Sequence, residues 1–522
     1  MHSFRNRVFT IAALVIPMVG IVAAYQDSLT QTAGWPMFGQ NIANTANYSQ
    51  AGSITAKDAH KLKPKWVATV GGDVSARAAV VDGVVYVPDW GGNLWAMRAS
   101  DGSVIWSHKI SDYGLPPNTH SRTSPAVVDG TVYIGTQEGA YLLAINARRG
   151  SLIWKTQLES AYPLAVITAS PTVYNSVIYI GVSSTEETAV ALGYPCCQAR
   201  GSVVAVNAAT GSIQWKTFTV PAGYTGGGVW GSNPVVDPAL HTVFVGTGNN
   251  YSNPTDPAYL ACRKAGGTDL ACLSPNDHAD SILALDMGTG AVKWARRLMN
   301  WGAPYTPGSD YWNLACWIPL FPVCPAIPGP DFDFASAPNE ITYQTRSGPK
   351  KILGAGQKSG IYYALDPVTG DVLWQTQVGP GSELGGMEWG SATDGKRIYV
   401  AIANFYSIPY AAGNAGSWAA LDVATGAILW RRADPSGAID MGPVTVVNDV
   451  VYVPSMATFF WQPTMLALDA ATGVTLWSYA AGSSVNAGAS VANGIVYWGS
   501  GFTHLPVPWF TGNNKFYAFS TE

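Results

Sequence analysis

Charge is scarce in this chain. Lys, Arg, Asp and Glu make up 12% of its 522 residues and the formal net charge is −4, against roughly 25% charged residues in an ordinary soluble domain. There is no basic run, so the electrostatic footprint that holds a nucleic-acid backbone is missing and nucleic acid is excluded as a partner. Histidine is rare too, with seven in all, and none stands beside a cysteine pair at metal-ligand spacing, which argues against a zinc site. No Cys-x-x-Cys-His occurs, so no c-type haem attachment is expected. The sequence has one long apolar run: Arg5 and Arg7 precede an apolar stretch from Val8 to Ala24, with small residues Val22-Ala23-Ala24 before Tyr25. That is the form of a cleavable secretory signal over residues 1–24, with an uncleaved membrane anchor as the alternative reading of a run at the lower limit for spanning a bilayer. Later apolar runs are strand-length and broken by Gly, Pro or Asp, so no stable membrane insertion is expected after cleavage, and the protein is expected to be periplasmic or secreted.

What is abundant is glycine, 56 residues, and tryptophan, 20 residues, in a chain that is 48% hydrophobic. Both belong to a phrase that returns along the whole length: a short apolar strand, Ala, a turn of the Asp/Asn-x-x-Thr-Gly type, and a strand ending in Trp. It reads LWAMRASDGSVIW to Trp106, LLAINARRGSLIW to Trp154, VVAVNAATGSIQW to Trp215 and ILALDMGTGAVKW to Trp294. Three more copies, YYALDPVTGDVLW, WAALDVATGAILW and MLALDAATGVTLW, end at Trp374, Trp430 and Trp477. Each copy has the alternation of a β-hairpin, with Gly supplying positive φ at the turn. Between copies lies a second hairpin such as SPAVVDGTVYIG or ASVANGIVYWGS. Two hairpins make one propeller blade. The chain ends complete each other: KFYAFS at Lys515–Ser520 has the first half of the phrase without its Trp, and KPKWVA around Trp66 has the Trp strand without its partner. The expectation is therefore an all-β, eight-bladed propeller over residues 25–522, closed by the N-terminal strand so that no sheet edge is left open. The repeated tryptophans are expected to pack between blades, each N–H reaching a backbone acceptor.

Six cysteines point to an oxidising compartment. Cys262 and Cys272 bracket one loop insertion and Cys316 and Cys324 another, while Cys196 and Cys197 are adjacent. They read as staples of long excursions, although connectivity is not fixed by spacing. The two bracketed insertions are expected to wall the central cavity.

The eight-fold Ala…Thr-Gly…Trp phrase resembles the tryptophan-docking motif of the quinoprotein alcohol dehydrogenases, and most closely their polyvinyl-alcohol-dehydrogenase-like branch. The segments that carry the resemblance include GWPMFGQNIANTANYS, YPCCQARGSVVAVNAATG, GGGVWGSNPVVDPALHTVFVGTGNNYS, NDHADSILALD, DFDFASAP and WGSATDGKRIYVAIAN, and it runs from about Gly34 to the C-terminus. It implies pyrroloquinoline quinone (PQQ) and Ca²⁺ at the propeller's centre. The implied reaction is oxidation of an alcohol, secondary or in a polymer such as polyvinyl alcohol, to a carbonyl product. With no haem attached, a separate electron acceptor such as a cytochrome c follows.

The resemblance also assigns residues. The metal-ligand Glu after the third blade's inner hairpin is Glu186 of VIYIGVSSTEE, with Glu187 as its rival, and the ligand Asn is Asn249 of GTGNN, with Asn250 beside it; hard oxygen donors of this kind suit Ca²⁺. The general base is Asp333 in Phe332-Asp333-Phe334, in competition with Asp310 and Asp331. Trp230 is the floor under the quinone, and Lys358 the cation beside its oxygens. Arg122, Thr168 and Ser170 are assigned to its carboxylates, and the Cys196–Cys197 pair to the cofactor's surroundings. The chain departs from the family pattern at two points: the adjacent cysteines follow the ligand Glu instead of preceding it, and Ser75-Ala76-Arg77 stands where many members place an acidic residue. The same blades also occur in non-catalytic envelope-assembly scaffolds, which give no reason for a Glu, Asn, Asp and Trp set.

Overall fold

Each Trp-ending phrase forms the two outer strands of a four-stranded antiparallel sheet, and the intervening hairpin forms the two inner ones. In blade 1 these are Ala79–Val81, Val84–Pro88, Asn93–Arg98 and Val104–Lys109, paired in that order. The computed structural model describes residues 34–48, 54–231, 233–299, 310–317, 323–505 and 509–522, and the expected signal segment lies outside them. Eight such sheets follow one another. The eighth is built from Ser490–Ala492, Ile495–Gly499 and Lys515–Ser520 and is completed by Lys63–Thr69, with Lys63 opposite Ser520 and Thr69 opposite Lys515. The two chain ends share one blade, as their half-phrases predict.

The phrase has a packing logic that its spacing alone does not reveal. Ala stands directly across the strand pair from Trp in every blade, from Ala96 opposite Trp106 to Ala518 opposite Trp66. Each Trp Nε1–H donates to a carbonyl in the turn of the following blade: Trp66 to Ala99, Trp106 to Ala147, Trp154 to Ala208, Trp215 to Met287, and Trp430 to Ala470. Trp477 of blade 7 donates to Leu62, just before the closing strand. The turn glycine lies flat on the ring of the preceding blade: a Cβ on Gly102 would stand 2.6 Å from the Trp66 ring, and one on Gly370 2.6 Å from Trp294. Glycine is therefore required twice, for its left-handed backbone and for the ring that occupies its Cβ position.

Blade 1 separates these two requirements. Gly83 and Gly102 have φ of +73° and +74°, but a Cβ on Gly83 meets nothing within 4 Å. Gly83→Ala should cost only the left-handed penalty, about 1–2 kcal/mol, whereas Gly102→Ala must also displace Trp66 and should lower the thermal midpoint distinctly further. Equal midpoints for the two variants would show that the ring contact contributes nothing.

A strap closes one end of the propeller axis. Residues 34–48 run across the innermost strands and accept backbone N–H bonds from Val127, Val236, Glu340, Thr393 and Val446, in five different blades, while Gly34 and Trp35 pair with blade 1. Asn44 and Asn47 add side-chain bonds to Asn233, Pro338 and Thr393 carbonyls. Arg77 explains the first-blade departure from the family pattern. Its fully buried guanidinium donates to Phe38 O at 2.7 Å, Val444 O at 3.0 Å and Thr445 Oγ1 at 3.0 Å, tying the strap to blade 7.

Candidate active site

Above the strap a cavity of about 690 Å³ opens on the face formed by the loops between second and third strands and by the blade-to-blade connections. Its size falls in the range of small-molecule sites, about 300–1,000 Å³. Loops build it because the strands form a rigid ring of fixed radius and only their connections reach the axis.

On one side stands a cluster of buried charge. Asp333 lies beneath Trp230: Oδ2 accepts Trp230 Nε1–H at 2.7 Å and faces the Lys358 ammonium at 3.2 Å, and Oδ1 accepts the Asn249 backbone N–H at 2.6 Å. This close approach depends on Gly248, where a Cβ would stand 3.1 Å from all three carboxylate atoms. Lys358 also pairs with Asp331 Oδ2 at 3.0 Å and lies 5.1 Å from the centre of the Trp230 ring. Burial would pull the Lys358 ammonium down, but the charges of Asp331, Asp333 and Glu187 outweigh it and hold Lys358 well above its ordinary range. Burial pushes Asp331 well above the usual carboxylate range despite Lys358, and it pushes Asp310 up to about 7 against the Phe332 and Asp331 backbone N–H groups that donate to it.

The acidic pair Glu186-Glu187 is sorted by its donors, and the outcome corrects the order expected from sequence. Glu186 is fully buried, but its carboxylate is taken up by Gln198 N at 2.7 Å, Ala199 N at 2.8 Å and Tyr194 Oη at 3.3 Å, so it folds the following loop instead of facing the cavity. Glu187 lines the cavity, its Oε1 is buried without a donor, and Asn249 and Asp333 are among the groups that act on it. Burial, reinforced by the Asp333 charge, pushes Glu187 up to about 8. Asn249, like Asp333, is buried and is not among the residues that line the cavity. Its Nδ2 donates to the Asn250 and Trp312 carbonyls, and its buried Oδ1 is left without a donor. Among the described residues no group of three or more His, Cys, Asp or Glu side chains is placed to hold a metal ion unaided.

The opposite side of the cavity is aromatic and cationic. The Arg122 guanidinium has no hydrogen-bond acceptor among the described residues and lies 4.0 Å from the Trp389 ring centre and 5.7 Å from that of Trp90. Burial pulls Arg122 down to about 10, and Glu388 opposes this. Trp389 packs edge-on against Trp230 with centroids 5.3 Å apart, adopts φ +60°, and leaves its buried indole N–H without an acceptor. Trp90 is stacked by His504 at 3.6 Å, and His504 in turn reaches Asp73 at 3.3 Å.

The other expected contacts divide. Thr168 lines the cavity, with its hydroxyl donated to Trp230 O at 2.8 Å. Ser170 does not line it: its hydroxyl accepts Ser124 N–H at 2.8 Å and its N–H goes to Asn233, so it joins blades below the cavity floor. Cys196–Cys197, Cys262–Cys272 and Cys316–Cys324 are disulfide-bonded. The adjacent pair lies at the rim, with Asn313 Nδ2 3.9 Å from Cys196 Sγ, and does not line the cavity. Of the two bracketed insertions, the one holding Cys316 contributes Trp312, Leu314 and Trp317 to the wall, whereas the helical one at Pro257–Cys272 contributes nothing to it.

Sequence reasoning missed Trp389 and Glu388. A signal was available: GGMEWGS at 385–391 resembles GGVWGS at 227–232, and the two tryptophans occupy equivalent connections two blades apart and pack against each other.

The family model described as "Outer membrane protein assembly factor BamB" (PQQ_2) matches residues 23–193 and 357–505, more than half of the chain. A polyvinylalcohol dehydrogenase of Sphingopyxis sp. (strain 113P3) is 29% identical, the alignment covering 90% of this chain and 72% of the relative. A quinohemoprotein alcohol dehydrogenase of Comamonas testosteroni is 26% identical over 73% of this chain and 51% of its own. In structure, a quinohemoprotein alcohol dehydrogenase from Pseudomonas putida HK5 superposes with a TM-score of 0.70 at 19% identity, covering 94% of this chain and 81% of the other, a likeness of fold. The chain belongs to the PQQ-repeat propeller family, and within it to the group of PQQ alcohol dehydrogenases on the polyvinyl-alcohol-dehydrogenase-like side.

Proposed function

We propose that this protein is a PQQ-dependent alcohol dehydrogenase acting on secondary or polymeric, polyvinyl-alcohol-like alcohols, exported to the periplasm or beyond and passing its electrons to a separate acceptor such as a cytochrome c. The observation that carries this reading is the set of buried, donorless oxygens of Glu187 and Asn249 beside Asp333, Lys358 and the Trp230 ring. A non-catalytic scaffold has no use for buried oxygens without donors, which cost stability unless something fills the site.

The residues fit the expected groups. Carboxylate and amide oxygens are the donors Ca²⁺ prefers, and Glu187 with Asn249 would supply part of its shell, leaving room for oxygens from the quinone. Trp230 would offer its ring face to a flat ring system, with Trp389 edge-on beside it, and Arg122 offers a guanidinium fork for its carboxylates. When bound, the quinone and its calcium ion would supply the hydride acceptor. The remaining work falls to the chain itself. Asp333 and Asp331 share the single cation of Lys358, but their other surroundings differ: Asp333 also faces the N–H groups of Trp230 and Asn249, whereas Asp331 Oδ1 has no donor at all. Two carboxyls in unlike settings divide the acid and base roles. Asp333, which accepts from Trp230 and Asn249 and faces Lys358, would serve as the acceptor for the alcohol proton, with the cavity-lining Asp331 as its neighbour on the same ammonium. Trp230 and Asn249 fix the Asp333 carboxylate in place.

Reconstitution tests this directly. Purified protein given PQQ and Ca²⁺ should acquire the quinone's visible spectrum and reduce an artificial dye in the presence of a secondary alcohol. A spectrum without dye reduction would make the protein a binder, and the absence of both would favour the scaffold.

A further inference from the structure

The mouth of the cavity carries an aromatic surface that the site does not use. On the same face, the loops of blades 6, 7 and 8 between second and third strands present Phe405, Tyr406, Phe459, Phe460, Trp461 and Trp509. Phe460 is 71% exposed, Trp461 62% and Trp509 61%. They form two stacked groups. The Phe405 ring lies parallel to Trp509 at 5.8 Å and edge-on to Tyr406 at 5.3 Å, and Trp461 stacks on Phe459 at 4.9 Å with Phe460 edge-on at 4.9 Å. Blades 7 and 8 are joined beside them, Thr511 donating to Thr458 O at 3.4 Å. The first group is continuous with the cavity: Tyr406 Oη and Trp317 Nε1 both donate to Glu383, and Glu383 and Trp317 line the wall.

Single exposed apolar residues are ordinary, whereas a contiguous exposed patch marks a binding surface. Its charge says what kind. Residues 403–416, 455–464, 500–505 and 509–514 contain no Lys, Arg, Asp or Glu, and the nearby Glu383 carboxylate already accepts two donors. A partner protein steered by charge needs a field of opposite sign to meet, and these loops have none. Ring faces without charge suit the C–H faces of a neutral aliphatic chain, while its hydroxyls remain in water or meet Tyr406 and the loop amides.

We infer that Tyr406, Trp461 and Trp509 form a shelf that holds a neutral, hydroxyl-bearing chain molecule across the cavity mouth and so presents successive carbinol carbons to the site. This rests on the dehydrogenase reading for what happens to the bound chain, but binding itself needs no cofactor. The test uses the full chain and soluble polyvinyl alcohol as the probe, with retention in affinity gels measured without cofactor. Trp461→Ala/Trp509→Ala should be retained about tenfold more weakly than the parent. In reconstituted enzyme the same variant should raise KM for the polymer by a similar factor and leave kcat and KM for 2-butanol unchanged. Unchanged polymer retention, or equal effects on polymer and 2-butanol, would overturn the shelf, as would a defect confined to reduction of a protein acceptor. Retention of the polymer by a protein that oxidises no alcohol would leave the shelf standing and remove the dehydrogenase reading.

Discussion

Exchange of Asp333 for Asn is expected to lower alcohol-dependent turnover by about 10²–10⁴-fold, the usual contribution of a positioned general base, while reconstituted protein keeps its quinone spectrum. The amide fills the same volume but has one acceptor oxygen where Trp230, Lys358 and the Asn249 N–H present three donors. A modest fall in thermal midpoint should therefore accompany the loss, and the spectrum distinguishes a missing base from a collapsed site. Asp331→Asn, by contrast, should retain substantial turnover, since Asp333 keeps its contacts with Trp230, Asn249 and Lys358. Retained activity in Asp333→Asn with loss in Asp331→Asn would reverse the two roles. The neighbouring glutamates give a second split: Glu187→Gln should abolish calcium-dependent activity with the fold intact, whereas Glu186→Gln should loosen the 186–200 loop, because Gln198 and Ala199 lose a charged acceptor. Calcium-dependent activity lost in the Glu186 variant alone would return the ligand role to that residue.

Removal of residues 25–69 should abolish cooperative melting near the parent's midpoint. The deletion takes the outer strand of blade 8, the Trp66 ring that covers Gly102, the Leu62 carbonyl that receives Trp477, and the strap that accepts N–H bonds from five blades. It leaves Lys515–Ser520 as an open edge, a template for association with other chains. Trp66→Leu alone should cost on the order of 2–4 kcal/mol through lost volume and an unfilled acceptor. A truncated protein that melts like the parent would refute ring closure by the N-terminal strand.

How much of this was legible in the sequence depended on how local the cause is. Blade number and closure were readable because Trp, Ala and Gly act within one phrase and its neighbour, and the half-phrases at Trp66 and Lys515 could be matched without coordinates. That Asn249, Lys358, Trp230 and Asp333 lie near one another was readable because each sits in a short motif between strands of the same or neighbouring blades. The Glu186-Glu187 order was not, because adjacent residues point in different directions and the decision came from Gln198 and Ala199, twelve or more positions later. Ser170 was misplaced for a similar reason: its hydroxyl answers to Ser124 in the preceding connection. The role of Arg77 was invisible since its partners, Phe38 and Val444, lie 39 and 367 residues away along the chain.

The register of Lys63 against Ser520 sets an order of events in biosynthesis. The first blade-forming strand to be made has no partner until Lys515–Ser520 has been added, so every chain that stops before it carries two open edges. Ring closure is therefore a late, long-range step, slow by topology and exposed to mispairing with other nascent chains until it occurs. A chain that folds only after Lys515–Ser520 has been made avoids that interval, whereas one interrupted before that strand meets the same fate as one that lacks Lys63–Thr69.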